Sequence, residues 1–240
     1  MLLAAPPGTT IPALRSIGIK SSHGAIVAVI EYHCVPCSDW VGTIVRRMRA
    51  GSAVVGGPVE NAWTERCRDW AAFLTDYAGV IGPAVDGPVR QLPSNNVAYR
   101  HELLHGLCAT LDRGLWESFY YDQLAARGVS LTSAPEMVVH HRRPFDFWYF
   151  MAQRYYYSRS FAGMRRQFLT RLGQLEYALG SLLLPPLLLM RGLRTLAAKR
   201  RFVGRYLSCL PLIAMYVTAG AVGEMVGYVA GGGVSLEKVE

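Results

Sequence analysis

Three groups of residues in this chain have the types and spacing that chemistry needs. His101-Glu102-Leu103-Leu104-His105 fits the H-E-x-x-H pattern. On a helix that pattern puts two imidazoles on one face beside a carboxylate able to activate zinc-bound water, the arrangement of a metalloprotease. A third ligand is required. Cys108 stands where the longer metzincin pattern has glycine and Leu111 where it has its last histidine, so Asp112, Glu117 or Asp122 would have to serve. Cys34-Val35-Pro36-Cys37 is a lone C-x-x-C. A zinc site wants a second pair and a redox site wants a thioredoxin-like frame; neither is evident, and the pair reads as incidental. Glu31-Tyr32-His33 follows an apolar run and brings three polar or aromatic side chains to the end of a strand.

The elements that must carry these groups alternate. Residues 25–31 (AIVAVIE) form a continuous apolar, β-branched run, the mark of a strand buried on both faces of a parallel or mixed sheet. Residues 39–49 have helical spacing. Residues 52–59 read as a second buried strand broken at Gly56-Gly57, and residues 63–77 as a helix. A loop-rich stretch over 87–99 leads to a helix over 100–111. A further helix over 116–127 stops at Gly128, and short strands follow at 130–131 and 137–140. Strand and helix in alternation mean an α/β layer fold.

After Pro144 the composition changes. Residues 145–168 are dense in aromatic and basic side chains, which suits a segment lying at a membrane interface and equally a surface helix covering the sheet. Residues 177–190 are apolar but contain Pro185-Pro186 and fall short of the ~20 residues a crossing helix needs, whereas residues 207–230 are long enough. Three regions result: a partial catalytic domain over 1–144, an interfacial segment over 145–171 and a hydrophobic anchor over 172–240.

The charge agrees with this division. From Arg142 to Arg205 there are thirteen Lys or Arg against two acids, while the remainder holds twelve against fifteen. A mildly acidic body joined to a basic, apolar tail favours lipid over nucleic acid as the partner surface. Mean hydropathy is +0.18 with 51% hydrophobic residues in 240, which excludes a disordered chain and a multi-spanning one. Five cysteines do not close a disulfide set and fit a reducing compartment. The first dozen residues lack a charged start and carry two prolines, so no signal peptide is expected. The cluster Arg191, Arg194, Lys199, Arg200, Arg201 and Arg205 between the two apolar stretches is expected in the cytoplasm by the positive-inside rule. A first apolar stretch that dips in and returns keeps the catalytic body on that same side.

Six blocks, AIVAVIEYHCVPCSDWV, AVVGGPVEN, LPSNNVAYR, LWESFYYDQLAARGVSL, APEMVVHH and QRYYYSR, stand in the order found in family 2 glycosyltransferases of the GT-A fold, and the chain resembles the second half of that family. The resemblance implies a truncated GT-A-like mixed sheet flanked by helices. It implies an inverting transfer of sugar from a nucleotide-sugar donor to a lipid-linked or glycan acceptor. Glu31 and His33 stand for the family's metal-holding Asp-x-Asp and would bind Mg²⁺ or Mn²⁺, for which imidazole is a soft choice. Glu117 stands for the acidic general base, with Asp122 as substitute, although five helical positions turn Asp122 to another face. Asn95 and Asn96 match an acceptor-side loop whose amides bond sugar hydroxyls. His140 matches a late histidine near the diphosphate. Gln153, Arg154 and Arg159 match an interfacial segment whose guanidinium forks suit a diphosphate or a lipid phosphate, and they suit membrane anchoring equally. The family's nucleotide-binding half would need two β-α-β units of roughly 30 residues each, more than the 24 residues ahead of Ala25 hold. An upstream extension or a separate chain would supply that half, or the chain is an inactive, non-catalytic remnant.

Overall fold

The computed structural model describes residues 2–240. The chain is mixed α/β and divides into two compact units, one of residues up to Ala62 with Val80–Arg143, the other of Trp63–Gly79 with Pro144–Glu240.

In the first unit a five-stranded sheet has the order β1-β6-β3-β7-β5, with β1 at Ile26–Ile30, β3 at Val54–Gly56, β5 at Gly87–Val89, β6 at Asn96–Arg100 and β7 at Leu131–Ser133. Only β3 and β7 run parallel; the other neighbours are antiparallel. A second, three-stranded sheet has β2 (Cys34–Pro36) antiparallel to β8 (Val139–His141), and β8 parallel to β4 (Val59–Asn61). Helices α1 (Ile11–Lys20), α2 (Trp40–Arg49), α4 (Leu104–Asp112) and α5 (Glu117–Ala126) flank the sheets. The core beneath α1, α4 and α5 is built from Tyr99, Leu107, Leu111, Tyr120 and Leu124. Each such side chain, taken from water, contributes about 1.5–3 kcal/mol.

Two elements differ from the sequence expectation. Residues 25–31 were expected on both faces of a buried sheet, but β1 is an edge strand with half-exposed side chains, paired only with β6. The stretch expected to be loop through Tyr99 contains β6, a strand buried over its first four residues, between β1 and β3. Its Pro93 and Asn95-Asn96 mimic turn chemistry, yet Asn96 is wholly buried and its amide is consumed structurally, as described below.

The second unit is helical. α3 (Cys67–Tyr77) joins α6 (Phe147–Arg166), α7 (Arg171–Gly180), α8 (Leu184–Ala198), α9 (Val203–Ser208) and α10 (Leu210–Ala230). Asp146 starts α6 by accepting from the Trp148 and Tyr149 amides, and Thr170 starts α7 by accepting from Gly173. α6 and α10 lie side by side: a Cβ on Gly223 or Gly227 would stand 2.2 Å from the Tyr155 carbonyl or 2.5 Å from that of Arg159, so only glycine permits this approach. α6, which lies in the segment expected at a membrane interface, packs along α10.

Among the described residues two helices are long and apolar enough to cross a membrane, Arg171–Ala198 with 28 residues and Leu210–Ala230 with 21. The first exceeds the fourteen apolar residues read from the sequence. Pro185-Pro186 do not end it, because they occupy the first turn of α8 after a 3-10 turn at Ser181–Leu183, where their missing N–H groups cost nothing.

The crossing from β3 to β4 passes through Gly57, where a Cβ would lie 2.0 Å from the Met137 carbonyl and 2.8 Å from that of Ala134. These are backbone atoms and cannot step aside. Gly57→Ala is expected to lower stability by about 2–4 kcal/mol, read as a reduced urea midpoint of the full chain in detergent. An unchanged midpoint would show that the strand β8 and its approach can shift freely.

Candidate functional site

Register brings the polar groups of the first unit together. Glu31 lies one residue past β1, whose last residue Ile30 pairs with Asn96, so Asn95 comes to stand beside Glu31. The chain turns through Tyr32 and His33, with the Cys34 amide donating to the Glu31 carbonyl, and enters β2, where Cys34 pairs with His141. That pairing sets the rings of His33 and His141 edge to face, 4.4 Å between centroids. Glu117 occupies the first turn of α5, where a carboxylate suits the helix dipole, and it is buried.

Arg15 holds this assembly. Its Nη2 donates to Glu31 Oε1 at 3.0 Å and its Nη1 donates to Glu117 Oε1. The Arg15 and Glu117 side chains keep only 11% and 6% of their exposure, against 30% for Glu31. The other Glu31 oxygen meets His33 Nε2 at 3.1 Å and accepts from Asn95 Nδ2 at 3.3 Å, and the same amide lies 3.6 Å from Cys34 Sγ. α1 aims Arg15 here because Pro12, Ser16 and Ile19 form its inward face, and Ser16 and Lys20 both bond Asp112 at the end of α4.

The electrostatics follow from burial and pairing. Burial raises the Glu31 carboxyl, but His33 and the Arg15 charge outweigh it and hold the group below the usual carboxylate range. Burial would lower the Arg15 guanidinium, and Glu117 and Glu31 more than reverse this. Burial, reinforced by Glu31, pushes the Cys34 thiol up to about 12. Burial, reinforced by His33, pulls His141 down to about 4, so this imidazole is neutral at pH 7.

Glu31, His33 and Cys34 could share one cation, their ligand atoms lying within 4.8 Å of one another. His33 Nδ1 is buried with no hydrogen-bond partner among the described residues. The set does not fit Mg²⁺ or Mn²⁺, which want several oxygens: it offers one carboxylate, already bonded to Arg15, with an imidazole and a thiol.

The other expected residues separate. Asn96 is a structural amide, donating to the Pro58 and Met137 carbonyls and accepting from Trp40 Nε1 at 2.8 Å, so it has no capacity left for a sugar. His140 is exposed and His141 is the buried histidine of the pair, because side chains alternate along β8. Asp122 is exposed on α5, away from the buried face that carries Glu117. Gln153, Arg154 and Arg159 belong to the helical unit and are engaged there, with the Lys238 carbonyl and the Glu240 amide, with Asp76, and with the Gly231 carbonyl respectively. His101 and Glu102 sit in a 3-10 turn ahead of α4 and are exposed, as is His105, and the His101 ring lies 3.1 Å from the Gly24 carbonyl. Among the described residues no third donor gathers with them, and the protease pattern has no ligand set. Cys34 and Cys37 face different partners, Asn95 and the Glu136 carbonyl.

Sequence reasoning missed Arg15, Cys34 and His141. The signal for Arg15 was present in the spacing Pro12, Ser16, Ile19 of an inward helical face with proline at its start. No family model matches the chain, and no curated protein matches it.

Removing Arg15 leaves two carboxylates, one of them buried, without their cation. Arg15→Met is expected to cost about 3–5 kcal/mol, and adding Glu117→Gln should recover part of it; a loss under about 1 kcal/mol would show that water already screens both acids. His141 adds a pH dependence. The unfolded imidazole takes a proton below about 6.5 and the folded one only below about 4, so stability falls as pH drops through that window, by about 3 kcal/mol in all. The urea midpoint measured from pH 7 to 4 should show this slope, and His141→Asn should flatten it.

Proposed function

We propose that this chain is a membrane-associated, inverting glycosyltransferase of family 2 type that moves a sugar from a nucleotide donor to a lipid-linked or glycan acceptor. The observation that carries the reading is the meeting of Glu31 and Glu117, distant in sequence, on the single guanidinium of Arg15, with His33 and Asn95 alongside.

In this reading the acceptor hydroxyl oxygen attacks the anomeric carbon, and the nucleoside diphosphate departs with the electron pair of the broken C–O bond. Glu117 takes the hydroxyl proton through the carboxylate oxygen that Arg15 does not bond. The Asn95 amide orients a sugar hydroxyl. Arg143, close enough for its charge to act on His141, supplies positive charge toward the diphosphate. No step is assigned to a metal, since the donor set does not suit Mg²⁺ or Mn²⁺.

The two long apolar helices support membrane association. Within the helical unit Lys199 Nζ donates to the Gly79 carbonyl and Cys209 meets Cys67, so the basic connection between those helices lies on the side of the membrane where α3 lies. A cytoplasmic α3 therefore goes with a cytoplasmic arginine cluster, which asks the first apolar helix to enter and leave by one face.

The test is release of nucleoside diphosphate from UDP-, GDP- and dTDP-sugars by the full chain in detergent, with and without a polyprenyl-phosphate acceptor. Glu117→Gln should lower kcat about 100-fold or more with donor affinity little changed. Absence of binding to every one of these donors would end the reading.

A further inference from the structure

Cys67 and Cys209 stand apart from the candidate site and from any role considered above. Their sulfur atoms are 2.7 Å apart, although 142 residues separate them. A disulfide bond is 2.03–2.05 Å long, so about 0.7 Å of further approach closes one. The two residues face each other through more than their tips: Cys209 Sγ lies 3.4 Å from the Cys67 carbonyl, and Cys67 Sγ lies 3.9 Å from that of Ser208.

The approach is held by packing on both sides. Cys67 opens α3, and Cys209 links α9 to α10. Trp70, one turn along α3 and buried, packs with its ring tilted against Phe202, 4.9 Å between centroids, and the Arg205 guanidinium lies over the same indole at 5.5 Å. The cysteines that are close in sequence, Cys34 and Cys37, have their sulfurs on separate partners.

We propose that Cys67 and Cys209 form a reversible dithiol–disulfide switch that staples the start of α3 to the start of α10. The two thiols differ in a way that sets the order of events. Cys67 is exposed, while Cys209 is buried, and burial with the neighbouring Cys67 pushes its thiol up to about 11. Cys67 is therefore the thiol that meets a soluble disulfide, and Cys209 the one that resolves it.

With oxidised glutathione as oxidant, the Cys67 thiolate attacks one glutathione sulfur, forming a mixed disulfide and expelling one glutathione thiolate with the electron pair. Cys209, giving its proton to solvent, attacks the Cys67 sulfur and expels the second glutathione. Two protein thiols are oxidised and one glutathione disulfide is reduced to two thiols. The inference is independent of the sugar-transfer reading.

The full chain in detergent, reduced and then exposed to oxidised glutathione, is unfolded in SDS and its free thiols are counted, with non-reduced peptides mapped by mass spectrometry. Thiols should fall from five to three, one cross-linked peptide pair should contain Cys67 and Cys209, and dithiothreitol should restore five. Cys209→Ser should trap a glutathione on Cys67, whereas Cys67→Ser should keep all four remaining thiols. Five thiols after oxidation, a stable glutathione adduct on Cys67 of the native chain, or loss of two thiols in Cys67→Ser would each overturn the proposal. The native chain's cross-link decides the matter even if a variant folds poorly.

Discussion

A single buried cation organises the first unit. Arg15 lies between Glu31 and Glu117 at a depth where either acid alone would be costly, and each partner is tolerable only because the others are present. The consequences spread outward. With one Glu31 oxygen fixed by Arg15, the other is aimed at His33 and Asn95, and the position of His33 then sets the ring against which His141 packs. The consecutive elements α1 and β1 are tied to the distant start of α5 through a group of a few atoms.

That arrangement has two faces. It assembles acid, imidazole and amide groups in one place, and it also saturates the charge it assembles. A cation supplied by the protein itself, the Arg15 guanidinium, lies between the two carboxylates. An imidazole, a thiol and one carboxylate make a poor site for hard ions, and the Arg15 guanidinium already neutralises that carboxylate.

Much of this architecture was legible in the sequence, and what was hidden has physical causes. Helices over 39–49, 63–77 and 116–127 announced themselves by periodicity, and Gly56-Gly57 marked a break that the structure explains by the Met137 carbonyl. β6 was hidden because Asn-Asn after proline has the composition of a turn, and only burial reveals that Asn96 satisfies two carbonyls and an indole. His140 and His141 cannot be told apart by composition: a two-residue period places one in solvent and one in the site, and the register with β2 decides which. Glu31 and Glu117 were legible as candidates, but the residue joining them was overlooked: the spacing of Pro12, Ser16 and Ile19 marks the inward face of α1, yet a lone arginine beside it carries no motif. The first apolar helix was underestimated because prolines were counted as breaks, whereas at a helix start they are accommodated.

The excursion of α3 has a consequence for how this protein can be divided. The polypeptide leaves the first unit after Ala62, contributes a helix to the second, returns at Val80 and departs again after Arg143. Any fragment ending at Arg143 would carry an orphaned apolar helix whose Trp70 has lost its lid, and any fragment beginning there would lack the strut on which Phe202 and Arg205 rest. The two units are interleaved along the chain, and neither can be cut out whole with a single scission.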